Sequence, residues 1–278
     1  MIQKQPIKRY AALFTRLAAK NEGAFIPFVV LGDPNIDASY TIIETMIANG
    51  ADALELGIPF SDPLADGPEI QSAVLRAFDA GMTVDKAFAL IEKVRANYPE
   101  IPIGLLMYSN LIHKNGITAF YTRAQQTGVD STLVADVPLR EYAPFLAVAN
   151  SAAIDAVFIC PPNMNTEMMT SIAKVGSGYT YLVSRSGVTG CDKALMSDIT
   201  QRVSALQRIG APPVIQGFGI STPEQVAFYR QCGVKGVIGG SAIARIIRDN
   251  AADESAMLVK LSDFIRRMKA ATLLCDCA

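Results

Sequence analysis

Residues Ala51–Pro68 read ADALELGIPFSDPLADGP. A short apolar run leads into a loop that Pro59, Pro63 and Pro68 stiffen. Side chains along a strand alternate in direction, so Ala53 and Glu55 share one face and Leu54 and Leu56 the other. The large apolar face belongs against helices. Glu55 therefore points to the opposite, inner side, where a carboxylate is expensive to bury. An apolar strand, a loop and then a helix form the unit from which the rest of the chain is built.

Working outward, eight strand-like runs appear, at 25–30, 53–57, 103–107, 132–135, 156–160, 180–184, 214–216 and 236–238. Between them the apolar residues take helical spacing. Ile43, Met46 and Ile47 share a face in a helix that Gly50 stops. Thr222 caps another, with Pro223 in its first turn and Val226, Phe228 and Tyr229 along its body. An extra helix over 8–18 precedes the first strand and presents Tyr10, Leu13, Phe14 and Leu17. A last helix carries Leu258, Leu261, Phe264, Ile265 and Met268. Eight β-to-α units in 278 residues fit a (β/α)8 TIM barrel, which typically needs about 250. An open doubly wound sheet would use fewer strands, and no GxGxxG follows the first one. No linker divides the chain, so one domain over 1–278 is expected, with a frayed tail at 273–278. Two connections are long, 58–102 and the one opening SRSGVTGCDKA at Ser184, and long β-to-α loops usually carry function.

Composition excludes several classes. Half the residues are hydrophobic and the net charge is −1, so nothing marks a nucleic-acid partner. The start, MIQKQPIKRYAALF, lacks the apolar stretch of a signal peptide, and the longest apolar run, 24–31, is too short to span a bilayer. A cytoplasmic protein without membrane contact is expected. The five cysteines form no CxxC pair and read as free thiols. No metal site is expected, and the CDC of the tail alone would make a poor one.

On the inner side, Glu55 is joined by Tyr181, and the same alternation permits Phe28, Leu106, Leu133, Ala135 and Ile159 there. With Asp66 from its loop, this is an apolar pocket with few polar groups, suited to a flat aromatic ligand. Each acid has a plainer reading. Glu55 is a buried acid with a structural cation as partner, although the neighbouring strands offer no Lys or Arg; Asp66 is the Asp of an Asp-Gly turn. Tyr181 alone fits core packing. PPVIQGFGIST and VKGVIGGSAIARII then place Gly219, Gly240 and Ser241 where the last two strands pass into helices. Backbone N–H groups and a helix dipole can hold a phosphate there without a basic side chain, and Gly187 and Gly190 in the long loop can close over it; tight turns are the alternative. No lysine sits where a Schiff base could form, and the single histidine, His113, lies in a polar connection. Two carboxyls, a tyrosine and a phosphate cradle suit proton transfer on a phosphorylated aromatic substrate.

LELGIPFSDPLADGP, LLMYSN, VADVP, FICPPN, YTYLVSRSGVTG, QGFGIS and GGSAI occur in that order. With them, the chain resembles the tryptophan synthase alpha chain family over nearly its whole length. The resemblance implies a TIM barrel that cleaves indole-3-glycerol phosphate to indole and glyceraldehyde 3-phosphate. It implies Glu55 and Asp66 as the catalytic pair. Phe28, Leu106 and Tyr181 would contact the indole or glycerol part, and Thr189, Gly190, Phe218, Gly219, Gly240 and Ser241 the phosphate end. It also implies a beta chain partner carrying pyridoxal phosphate, no cofactor in this chain, and an alpha2beta2 assembly. A stand-alone indole-releasing lyase and a partner-activating subunit are the alternatives. On this reading Glu55, its pKa raised by the apolar barrel, moves the proton, and Asp66, held ionised in its loop, stabilises charge at the indole nitrogen. Asp62 and Pro63, in the exposed SDP of the Asp66 loop, are the expected contact with the partner; a simple turn is the alternative.

Overall fold

The computed structural model describes residues 8–184 and 193–274. Its strands are β1 (Ala24–Val30), β2 (Leu54–Gly57), β3 (Ile103–Met107), β4 (Ser131–Val134), β5 (Asp155–Ala156), β6 (Phe158–Cys160), β7 (Thr180–Val183), β8 (Val214–Gly217) and β9 (Gly236–Gly239). All pair in parallel, in the order β5-β4-β3-β2-β1-β9-β8-β7-β6. The helices are α1 (Arg9–Ala18), α2 (Ile36–Ala48), α3 (Pro68–Asp79), α4 (Val84–Asn97), α5 (Ser109–His113), α6 (Ile117–Gln126), α7 (Ala143–Ser151), α8 (Thr166–Val175), α9 (Lys193–Arg208), α10 (Pro223–Gln231), α11 (Ser241–Asp249) and α12 (Glu254–Ala270). The chain alternates strand and helix around a ring, a (β/α)8 barrel.

One expected strand differs. The run 156–160 is two pieces, β5 and β6, that share the fifth position of the ring. β5 pairs with β4 and β6 with β7, while the Val157 N–H between them still donates to the Thr132 carbonyl of β4 (3.0 Å). The chain thus changes partner at Val157, and the ring closes there through the backbone itself. A second handover lies opposite, in β1. Ala24–Pro27 pair with β9 and Phe28–Val30 with β2, and Pro27, at the changeover, has no N–H to offer.

Local signals set the helix ends. Thr222 and Gln225 form a reciprocal capping box at α10, Asn35 caps α2, and Gly50 follows α2 at φ +112°. Helix α1 closes the bottom of the barrel. Tyr10, Leu13 and Leu17 are buried, and the Tyr10 hydroxyl meets the Ser131 hydroxyl at 3.1 Å. Gly104 opposite Glu55 makes the room, because a Cβ there would lie 2.9 Å from the Tyr10 hydroxyl and 2.7 Å from that of Ser131. Arg9 ties the helix down through Asp130 at 2.8 Å. At the other end of the chain, the Leu274 N–H donates to the Asn21 carbonyl, so residues 273–274 are tied to the barrel; 275–278, with Cys275 and Cys277, lie outside the described residues. Among the described residues, Cys160 and Cys232 are buried free thiols, and no helix is long and apolar enough to cross a membrane.

Candidate active site

Glu55 is 1 % exposed inside the barrel. Its Oε1 accepts a hydrogen bond from the Tyr179 hydroxyl at 2.8 Å, and its Oε2 has no hydrogen-bond partner among the described residues. Burial pushes the carboxyl up to about 7, against the opposing effect of the Tyr179 bond. Among the described residues no cation accompanies it. The Tyr179 ring rests on Tyr10, 5.4 Å between centroids, so the floor of the barrel fixes the hydroxyl that orients Glu55.

Asp66 is half-buried at the end of the loop leaving β2. Tyr108, just past β3, organises that loop. Its hydroxyl donates to Asp66 Oδ2 at 3.0 Å and accepts the Ala65 N–H at 3.0 Å. Its ring stacks on Phe60, 5.3 Å between centroids, and Gln71 donates to the Asp66 carbonyl. Burial pushes the Asp66 carboxyl above its ordinary value too, with the Tyr108 bond opposing. A loop acid facing an apolar cavity loses hydration much as a strand acid does.

Both acids line one cavity of about 430 Å³ at the C-terminal mouth of the barrel. Phe28, Leu106, Leu133, Ala135, Ile159 and Tyr181 form its apolar wall, as the alternation of the strands requires. Two rings depend on glycine for their positions. A Cβ at Gly217 would fall 1.9 Å from Tyr181 Cζ, and one at Gly240 would fall 2.9 Å from Phe28 Cδ1. A wider groove of about 630 Å³ lies outside the barrel among α2, α4 and α12, away from both acids.

The other end of the cavity is backbone. Gly240 is the N-cap of α11, no side chain caps it, and both it and Ser241 line the cavity. The first N–H groups of a helix lack intrahelical partners, so this terminus offers donors and positive potential to an anion. Phe218 and Gly219 complete that rim at φ +73° and +78°. At Gly219 a Cβ would meet nothing within 4 Å, so its conformation, not its room, calls for glycine. Thr189 and Gly190, with Gly187 and Cys191, lie outside the described residues. Asp62 is exposed and accepts from the Ser61 hydroxyl at 2.6 Å, Pro63 is partly covered, and Leu64 beside them is 88 % exposed. His113 is exposed against Phe145.

Sequence reasoning missed Tyr179, Tyr108, Ser221 and Arg245. The two tyrosine hydroxyls meet acids 124 and 42 residues away, and no local pattern announces such pairs. Arg245 lies on a helix, whereas the search for cations covered the strands. Its spacing of four from Ser241 was the available signal.

The family model described as "Tryptophan synthase alpha chain" matches residues 14–273. The tryptophan synthase alpha chain of Pectobacterium atrosepticum is 55% identical over 266 residues, 96% of this chain and 99% of that one. That of Shewanella oneidensis is 52% identical over 264 residues, 95% of each. Among solved structures, tryptophan synthase subunit alpha of Legionella pneumophila superposes with a TM-score of 0.87 at 28% identity, covering 96% of this chain and 99% of that one. A chain of the Pyrococcus furiosus tryptophan synthase complex superposes at 0.79 with 32% identity, covering 89% and 98%.

Proposed function

The chain belongs to the tryptophan synthase alpha chain family, and from that premise we propose the parts its residues play. It is a lyase that cleaves indole-3-glycerol phosphate to indole and D-glyceraldehyde 3-phosphate. Its partner is the beta chain, which holds the pyridoxal phosphate; the alpha chain needs no cofactor of its own. An alpha2beta2 assembly in the cytoplasm completes the proposal.

The indole lies among Phe28, Leu106 and Tyr181, and the phosphate sits at the α11 terminus beside Gly219, Gly240 and Ser241, with Phe218 on the rim and Thr189 and Gly190 as further substrate contacts. Protonated Glu55 gives its proton to indole C3, producing an indolenine with positive charge shared by N1. Asp66, as the ionised acid, accepts a hydrogen bond from N1–H and stabilises that charge. Glu55, now ionised, takes the proton of the glycerol hydroxyl next to C3. The O–H electrons form the aldehyde C=O, the carbon–carbon bond breaks, and its electrons restore the aromatic indole. Glu55 ends protonated, so no net proton is consumed. Asp62 and Pro63 meet the beta chain on the same loop that carries Asp66, which couples docking to the position of that acid.

The observation that carries this reading is Glu55 itself: a fully buried carboxyl with a free oxygen in an apolar cavity and a pKa raised to about 7, matched to giving and taking a proton near neutrality. Glu55→Gln keeps the shape and removes the transferable proton. Its kcat should fall at least about 10²-fold, the usual contribution of a general acid–base group, with substrate binding little changed. A kcat within about threefold of the parent, a change under about 1 kcal/mol, would remove Glu55 from the chemistry.

A further inference from the structure

Helix α11 carries two arginines close to the cavity, and the structure treats them differently. Arg248 is engaged twice, with Glu69 of α3 at 2.5 Å and with Asp249 at 2.9 Å. Arg245, one turn earlier, lines the cavity with Ser241 and Gly240 yet has no ion pair or hydrogen bond with any described residue. Residues four apart lie on one face of a helix, so the guanidinium stands on the face that begins with Ser241. The remaining charged side chains lining that cavity, Glu55 and Asp66, are acids. Among the described residues this cation is unpaired, stands next to an uncapped helix terminus and is the one positive side chain lining the cavity.

We propose that Arg245 is a specificity residue for the phosphate end of the substrate, adding a full positive charge to the backbone donors of α11. This rests on the assignment of the phosphate to the α11 terminus made above. The backbone donors fix where the anion sits. The arginine, long and exposed at the rim, raises the capture of a dianion over that of a neutral ligand of the same shape. Its charge is solvent-facing, so its effect is moderate and salt-sensitive.

The test compares the parent with Arg245→Gln, Arg245→Lys and, as a control, Arg248→Gln, each as the full chain with beta chain present. KM for indole-3-glycerol phosphate, inhibition by inorganic phosphate and the affinity for indole are measured at low and high ionic strength. The expected result for Arg245→Gln is a rise in KM of about three- to fivefold at low salt, the scale of an exposed ion pair. The change falls in KM rather than kcat, shrinks as salt is added, and is matched by weaker phosphate inhibition. Indole affinity stays at the parent value. Arg245→Lys keeps the charge and restores KM, and Arg248→Gln leaves KM alone. Parent-like KM in Arg245→Gln, equal loss of indole and substrate, or failure of Arg245→Lys to restore KM would each overturn the proposal. If inorganic phosphate does not compete even with the parent, the phosphate assignment falls and this role with it. Competition in the parent with an unchanged KM in Arg245→Gln removes only the arginine.

Discussion

The proposed reactive role of Glu55 comes with a thermodynamic one. Its folded value of about 7 lies above the ordinary 4.5 because burial disfavours the charged form. For a carboxyl raised on folding, the stabilisation is complete below the unfolded value and is lost as pH rises through the folded one. The window therefore runs from about pH 4.5 to about 7, and the loss across it is about 3 kcal/mol. Glu55→Gln has no such titration. In urea unfolding at a series of pH values, its stability relative to the parent should climb through that window and level off above it. Parallel pH profiles for the two proteins would show that Glu55 titrates near its ordinary value. The position of this acid was legible in the sequence because alternation in ADALELG leaves it one direction to point. Its partner was not. Tyr179 stands two residues before Tyr181, on the same face, but which of the two reaches Glu55 depends on how far β7 is displaced along the barrel relative to β2, and no local pattern records that stagger. The burial of Asp66 was not legible for a related reason: a loop is read as wet, whereas Tyr108, Phe60 and the cavity wall dry this one.

At the level of elements, the mouth of the barrel is shaped by where strands omit side chains. Strand β8 ends at Gly217, and the Tyr181 ring of β7 occupies the place its Cβ would take. Phe218 follows with φ +73°, an uncommon conformation for a residue other than glycine, and its backbone reaches the Tyr181 hydroxyl. One turn of chain thus seats the ring. Gly217→Ala should push Tyr181 from the wall. We expect a fall in stability of about 1–3 kcal/mol, typical of overpacking, and a loss of kcat/KM of at least about tenfold, since small misplacements near the chemistry are costly. Steady-state kinetics together with thermal unfolding check this; full activity would mean that the ring repacks without consequence. Most strands were legible to within a residue or two, because their apolar runs are short and bounded. The division of the fifth strand was not. AVFIC is one continuous apolar run in the sequence, and what breaks it is the change of partner at Val157, which only the closed ring imposes.

In the whole molecule, β1–β5 and β6–β9 are two arcs that meet at Val157 and along β1. On the proposed assignment the proton-handling groups belong to the first arc, with Glu55 on β2 and Asp66 just after it, and the phosphate end to the second, with Gly219 after β8 and Gly240 and Ser241 after β9. A substrate with its indole at one end and its phosphate at the other therefore bridges both arcs. Its hold on the protein depends on the ring staying shut, so parting the arcs at Val157 means losing the ligand. Amide hydrogen exchange reads this directly. With a saturating, unreactive indole–phosphate analogue, exchange of the Val157 amide should slow by a factor approaching that of the most protected core amides, which at a ligand concentration of 100 times Kd corresponds to about 2.7 kcal/mol. Indole alone, which lacks the phosphate contacts of the second arc, should slow Val157 far less than it slows amides near Phe28. Exchange at Val157 that ignores the analogue would mean the seam opens without disturbing the site. If the analogue does slow it, the substrate works as a clasp, and the barrel is most completely a ring when it is occupied.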